Sequence, residues 1–261
     1  MFTSERRNAI ADQIEKQKKV DVIQLSTLYN VSEVTIRKDL EFLEKKGILI
    51  RTHGGAILNE FLPPNADFVH DKNPVFQNYA LISKMASSLV NENDLIFLGA
   101  DPLCTAIASL LIKKEALTIV TNNVLAASIL VEKSKNRVIL AGGQVSFDNG
   151  TSYTYGGDVT NFLAKKRYDK IFIGIDGVNT SYGFYIQNAD LHDVYSSVIR
   201  NCVNCIFCIP GTQFDNNAFY QLAPLEFPNI VVSDASIPEN YITIFSRDNI
   251  RLYTSYDVES M

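Results

Sequence analysis

No run of apolar residues in this 261-residue chain approaches the ~18 consecutive positions that a membrane-spanning helix needs. The N-terminus, Met1-Phe2-Thr3-Ser4-Glu5-Arg6-Arg7, leads straight into a charged helical pattern and lacks the apolar stretch of a signal peptide. Both absences point to the cytoplasm and leave no role for a membrane. Cysteine is scarce: Cys104, Cys202, Cys205 and Cys208 are the four. The last three spell C-x-x-C-x-x-C, but a fourth ligand at suitable spacing is missing, which argues against a zinc or iron–sulfur centre. Cys205-Ile206-Phe207-Cys208-Ile209 is instead an apolar run that predicts a buried strand. Cys205 and Cys208, three residues apart, then point to opposite faces as small buried hydrophobes in a reducing compartment. No metal, cofactor or catalytic residue is expected.

Hydrophobic content of 46% and charged content of 20% are those of an ordinary globular protein, and the length suits two domains. The formal net charge is −5, unevenly spread. Residues 1–58 hold ten Lys/Arg against eight Asp/Glu, whereas residues 59–261 hold fourteen against twenty-one. A mildly basic head on an acidic body suggests a polyanionic partner for the head alone.

The head reads as three helices and a hairpin. Ser4 can cap a helix with Ile10, Ala11 and Ile14 as its apolar stripe. Arg6 and Arg7 in its first turn oppose the helix dipole, so they are either placed for a partner or solvated surface residues. Asp21 precedes a short helix over residues 23–29 with Leu25 and Leu28 inward, and Asn30 suits the left-handed residue that ends it. Ser32 caps the next helix, where Ile36, Leu40 and Leu43 share one face while Val34, Arg37, Lys38 and Glu41 lie opposite. This is a helix-turn-helix pattern with a basic outer face. After Gly47, the stretch from Ile48 to Ala56 predicts a β-hairpin wing carrying Arg51 and His53, with Gly54 and Gly55 letting backbone amides approach a phosphate.

Val31-Ser32-x-x-Thr35-Ile36-Arg37-Lys38-Asp39-Leu40, then Leu43-Glu44, Gly47 and Arg51-Thr52-His53-Gly54-Gly55-Ala56, resembles the signature of DeoR-type bacterial transcriptional regulators. The resemblance implies a winged helix-turn-helix over residues 1–58 that binds a double-stranded DNA operator, with 32–46 as recognition helix in the major groove. Ser32, Thr35, Arg37, Lys38, Arg51, His53 and Gly54 are its candidate DNA-binding residues, Arg37 and Lys38 serving phosphates or base edges.

Residues 59–74, with Leu62-Pro63-Pro64-Asn65-Ala66-Asp67, show no clear periodicity and read as a linker. Over 75–261, apolar strand candidates alternate with helical ones: strands at 95–98, 117–120, 137–140, 170–173, 205–209, 230–232 and 250–253. Helices are expected at 102–113, 122–133, 158–165 and 190–201. This rhythm predicts an α/β domain with a mostly parallel sheet. Small and polar residues cluster at five strand ends: Gly99-Ala100-Asp101, Thr121-Asn122-Asn123, Gly142-Gly143, Gly174-x-Asp176-Gly177 and Pro210-Gly211-Thr212. Strand C-termini border the ligand crevice of an open α/β sheet, although Gly and Asn also serve there simply to turn the chain.

The body is similar to the effector domain of the same family, itself similar in fold to ribose-5-phosphate isomerase. Thr121-Asn122, Gly142-Gly143, Phe172-Ile173-Gly174-x-Asp176-Gly177 and Gly183 stand where the family's markers would, and Asp190 matches the first acid of its D-x-x-E, with Asp193 in place of the Glu. Family members generally bind a phosphorylated sugar, which implies a small sugar-like effector at Gly99, Asp101, Thr121, Asn122, Gly142, Gly143, Asp176, Asp190 and Gln213. The chain departs from the pattern at the phosphate. Gly99-Ala100-Asp101-Pro102 replaces the usual Gly-Thr-Thr, and Pro210 and Gln213 replace the ends of Asp-x-x-Lys. A gained carboxylate and a lost ammonium disfavour a dianion, so a neutral or weakly charged polyol is the expected effector.

The function expected is a repressor of carbohydrate-metabolism genes, gated by that effector and working as a homo-oligomer. Two alternatives stand: a body that only oligomerises, its ligand site decayed, and a sugar-phosphate isomerase. The isomerase needs a base and an electrophile; Asp176, Asp190 and Asp193 offer the first, but only His192 offers the second.

Overall fold

A computed structural model describes residues 3–45, 49–52, 54–58 and 75–254, which divide into two compact units, Met1–Phe76 and Gln77–Met261. Gly47, His53 and the 59–74 stretch lie outside the described residues.

In the first unit the order is α1 (Thr3–Gln17), β1 (Lys19–Asp21), α2 (Val22–Tyr29), α3 (Glu33–Lys45), β2 (Leu49–Arg51) and β3 (Gly55–Leu58). The three strands form an antiparallel sheet in the order β1-β3-β2. The hairpin of the wing thus pairs with a third strand, β1, which lies between α1 and α2. Ile10, Ile14, Val20, Leu25, Ile36, Leu40, Leu43 and Leu49 close the core. Local signals set the helix ends. The Asp21 side chain accepts from the Ile23 and Gln24 amides, and Asn30 ends α2 at φ 51°, ψ 51°. The Thr35 amide donates to Ser32 Oγ at 3.2 Å. Gly55 faces β1 so closely that an added Cβ would lie 2.0 Å from the Val20 carbonyl oxygen, so this glycine serves strand pairing.

Two expectations for the head are corrected. Leu28 is 62% exposed rather than inward. Val22 and Leu25 make the inner stripe, and Tyr29 turns toward α1, its hydroxyl donating to Gln13. Arg6 and Arg7 face neither a partner nor open solvent. Arg6 Nε lies 2.6 Å from Asp39 Oδ2 and Arg7 Nε 2.8 Å from Asp39 Oδ1, with Asp39 itself 1% exposed. Arg7 also stacks on the Phe42 ring, 3.8 Å from its centroid. The two arginines clamp α1 to α3.

The second unit runs α4 (Val75–Ser88), β4 (Leu95–Leu98), α5 (Pro102–Leu111), β5 (Thr118–Thr121), α6 (Val124–Lys133), β6 (Arg137–Leu140), β7 (Gln144–Asp148), β8 (Thr151–Tyr155), α7 (Gly157–Ala164) and β9 (Tyr168–Gly174). It continues with β10 (Gly177–Asn179), β11 (Gly183–Ile186), α8 (Ala189–Val198), β12 (Cys202–Ile209), a 3-10 turn over Gly211–Gln213, β13 (Tyr220–Ala223), β14 (Ile230–Ser233), α9 (Glu239–Arg247) and β15 (Arg251–Tyr253). Seven strands make a wholly parallel sheet, β15-β14-β12-β9-β4-β5-β6. Both faces are covered, so the strands read as continuous apolar runs rather than alternating ones. In β12, Cys205, Phe207 and Ile209 enter the core on one face and Ile206 and Cys208 the core on the other. The opposite-face placement of Cys205 and Cys208 expected from strand period follows. Strands β10, β11 and β13 form a separate antiparallel sheet, and β7 pairs with β8. These short, more polar strands carry no long apolar run.

Candidate functional site

On the first unit, α3 presents two different faces. Ile36, Leu40 and Leu43 are buried, while Val34 is 62% exposed and Arg37 and Lys38 lie open beside it. Arg37 makes an exposed ion pair with Glu33, 3.8 Å away, the kind worth little in water and readily exchanged for a phosphate or base edge. Ser32 and Thr35 bind each other, Oγ to Oγ1 at 2.9 Å, at the cap of the same helix. Arg51 is held back on α3 by Glu44, its Nε 3.2 Å from Oε2. Gly54 is exposed, with space where a side chain would be.

On the second unit, the parallel sheet changes direction of winding between β4 and β9: β5 and β6 lie to one side, β12, β14 and β15 to the other. Open α/β sheets leave a crevice at such a point, beyond the strand C-termini. A cavity of about 420 Å³ sits there. Ala100, Asp101 and Pro102 follow β4, Gly174 ends β9 and Asp176 follows it. Asp148 and Asn149 come from the β7–β8 turn, Gln187, Asn188, Leu191 and Tyr195 from the start of α8, and Asn217 and Ala218 from the loop before β13.

Hydrogen bonds fix these groups. The Asp101 carboxylate accepts from the Cys104 amide at 2.8 Å, capping α5, and from the Gly174 amide at 3.0 Å. Pro102 at the first helical position suits the fixed φ of proline and leaves those amides free for the cap. Gly174 has no room for a side chain: an added Cβ would lie 2.6 Å from Asp101 Cγ. The Ala100 amide donates to the Tyr195 hydroxyl at 2.9 Å, and the Tyr195 ring lies against Gly99. Asp176 accepts from the Gln187 amide at 2.9 Å. The Asn188 amide nitrogen donates to Asp148 and to the Tyr153 hydroxyl, both at 2.9 Å, while its oxygen caps α8.

Three carboxyl groups therefore face one crevice, and no Lys, Arg or His among the described residues lines it. Burial pushes the Asp101 carboxyl up, against the lowering effect of its bonds from Cys104 and Gly174. Burial also pushes Asp176 up, to about 6; the bond from Gln187 opposes this, and the charges of Asp101 and Asp148 add to it.

Residues 6–61 match the DeoR-like helix-turn-helix domain, and residues 77–235 match the DeoR C terminal sensor domain. The chain belongs to the DeoR family. The HTH-type transcriptional regulator FruR of Bacillus subtilis, itself uncharacterized, is 31% identical over 235 residues, covering 90% of this chain and 92% of that one. The HTH-type transcriptional repressor GlcR of the same organism is 27% identical, with 97% and 96% covered. The Escherichia coli glycerol-3-phosphate regulon repressor is 26% identical, with 97% and 99% covered. Among solved structures, ribose 5-phosphate isomerase A from Methanocaldococcus jannaschii overlays with TM-score 0.39 and 13% identity, covering 52% of this chain and 53% of that one. The protein is a DNA-binding transcriptional regulator of the DeoR family. No helix among the described residues is long and apolar enough to cross a membrane.

Within this DeoR-family sensor unit, the residues singled out from sequence divide into two groups. Asp101 and Asp176 line the crevice, with Gly99 immediately behind it under Tyr195. Thr121 and Asn122 are buried and turned into the protein. Thr121 Oγ1 donates to the Leu98 carbonyl at 2.7 Å and accepts from the Asn123 amide at 2.9 Å. Asn122 Nδ2 donates to the Thr154 carbonyl at 3.1 Å, while its Oδ1 is buried with no partner among the described residues. Gly142 and Gly143 are both exposed, and a Cβ added to Gly143 would lie 2.4 Å from Val159 Cγ2. Asp190 sits in the first turn of α8 and Gln213 at the end of the 3-10 turn, and neither lines the cavity. His192 Nε2 lies 3.1 Å from the Gln221 carbonyl oxygen, also off the crevice.

The crevice residues missed from sequence had local signals. Asn149-Gly150 is a two-residue hairpin turn, with φ of 45° and 74°, and it brings Asp148 to the site. Asn188 is an N-cap residue three positions before Leu191, a signal that starts α8 at Ala189, one residue before the expected 190.

Proposed function

We propose that this regulator is a repressor of carbohydrate-metabolism genes whose grip on its operator is gated by a small polyhydroxy effector in the crevice between β4 and β9. In this reading residues 1–58 bind DNA, 59–74 link, and 75–261 sense the effector and join subunits in the cytoplasm, without catalysis. The observation that carries the reading is the two-faced α3: an apolar, an arginine and a lysine side chain stand outward on a helix capped and clamped to its neighbours. Val34 suits a thymine methyl, Arg37 a guanine edge or phosphate, and Lys38 a phosphate. The repressor names of the relatives support the sign of regulation, and the cavity at the winding switch supports the sensor. His53 joins Arg51 and Gly54 in the wing's contact with the backbone. A homo-oligomer pairing two half-sites supplies the affinity one winged unit lacks.

The test is operator binding by the full-length protein against salt. Arg37→Ala is expected to cost about 1–3 kcal/mol on the operator and to relax specificity at one base pair. Lys38→Ala is expected to weaken all sequences alike and to reduce the salt slope by about one. Wild-type binding by both variants refutes the assignment of α3. Light scattering that finds a monomer at micromolar concentration, with and without DNA, refutes the oligomer.

A further inference from the structure

We propose that Asp101 is a tethered anion, a carboxylate that the protein itself supplies to the anion-binding position of the crevice, so that the sensor takes an uncharged polyhydroxy compound and rejects its phosphate ester. The inference rests on the reading of this crevice as the effector site and specifies its ligand.

Geometry comes first. The Cys104 amide, in the first turn of α5, and the Gly174 amide, at the end of β9, converge on one point at the mouth of the winding switch. Two converging backbone donors, one at a helix N-terminus, are what an anionic group of a ligand would use. Here both are already taken, one by each oxygen of Asp101, at 2.8 and 3.0 Å. The carboxyl also fills the space: Gly174 has no Cβ, and the Asp101 carboxyl atoms lie 2.6–2.8 Å from where one would be. A phosphate there would have to displace a side chain held by two hydrogen bonds.

Charge gives the same answer independently. A phosphate ester needs a cation or free amides to replace its water. Among the described residues, the lining supplies Asp148 and Asp176 as two further carboxylates, and no Lys, Arg or His. A dianion entering this crevice meets three carboxyl groups and no cation among the described lining residues. What remains suits hydroxyl groups. Carboxylate oxygens accept from them, the amides of Gln187 and Asn217 can donate or accept, and Leu191 offers apolar surface to C–H groups.

The experiment uses the full-length protein, thermal shift and titration calorimetry. The probes are inorganic phosphate, which requires no sugar specificity, and glycerol, mannitol and glucose, each against its own phosphate monoester. Wild type is expected to respond to at least one neutral compound and to neither inorganic phosphate nor any ester. Asp101→Thr keeps a hydroxyl to cap α5 and frees the Gly174 amide. It is expected to bind inorganic phosphate and the ester of the responding compound at least about tenfold more tightly than wild type. Should that variant fold poorly, Asp101→Asn keeps the side-chain volume and one acceptor, loses the charge, and carries the same expectation at a few-fold gain. The proposal is overturned if wild type binds an ester more tightly than its neutral parent. It is also overturned if neither variant gains affinity for phosphate while a neutral compound binds wild type. A different result, phosphate gained by the variants but no neutral compound bound by wild type, upholds the tethered anion and sinks the sensor reading on which the ligand class rests.

Discussion

Asp39→Ala should unfold the DNA-binding unit while leaving the sensor unit intact. Asp39 is 1% exposed and sits between two guanidinium groups, Arg6 at 2.6 Å and Arg7 at 2.8 Å, the first of them only 6% exposed. Removing one partner of a buried pair costs about 3–5 kcal/mol, because the charge left behind has lost its counter-ion and cannot recover its water. The loss is compounded here, since two cations are left facing each other. A unit of this size has a total stability on the order of 3–9 kcal/mol, so the variant loses most of it. Hydrogen exchange read peptide by peptide on the full chain is the assay. Protection over 3–45 should collapse, and protection in β4, β9 and β12 should stay at the wild-type level. Operator binding should vanish with it. The combined change Arg6→Met, Asp39→Leu should recover most of the protection, because a buried pair replaced by well-packed apolar side chains is often neutral. Wild-type exchange and operator affinity in Asp39→Ala would refute the clamp and return Arg6 and Arg7 to the role of DNA contacts.

The sensor unit gives two further predictions. The folded-state pKa of Asp176, about 6, lies above its ordinary 3.8, so the folded protein binds this proton more readily than the unfolded chain. The ionised group therefore costs stability above pH ~6, on the order of 3 kcal/mol at most, and the cost is relieved as pH falls from about 6 toward 3.8. Asp176→Asn should raise the melting temperature at pH 8 and by only about a third as much at pH 4.5; an equal shift at both would show that burial does not perturb this carboxyl. Thr121→Val should destabilise by about 1–3 kcal/mol in urea titration, since the Leu98 carbonyl and Asn123 amide both lose a buried partner. Thr121→Ser keeps both bonds and should cost less; Val milder than Ser would mean that Thr121 is held by its methyl group rather than its hydroxyl.

How far the sequence could be read depended on the range of the interaction. Caps and strand cores were legible because their determinants are adjacent in the chain. Asp21 and Ser32 accept from amides within a few residues, the Asn30 amide donates to the Ser26 and Thr27 carbonyls, and the apolar run 205–209 dictates a doubly buried strand whatever its neighbours are. The expected parallel sheet needed nothing more. Arg6 was ambiguous because the residue that decides its role, Asp39, is 33 positions away and reaches it only once α1 and α3 are packed. The ends of β4 and β5 make the same point at the candidate site. Asp101 lies just beyond the apolar strand β4 and Thr121 ends β5; both precede a helix, and both are short polar residues. Their fates differ because Asn123 caps α6 and pulls the Thr121 hydroxyl inward, between its own amide and the Leu98 carbonyl. Asp101 is itself the cap of α5, and its second oxygen must find a donor beyond the helix, which is the Gly174 amide across the winding switch. Of these two strand ends, the one whose polar residue caps the following helix presents it to the crevice; at β5, where the cap lies further along, the strand-end residues are consumed in holding the turn.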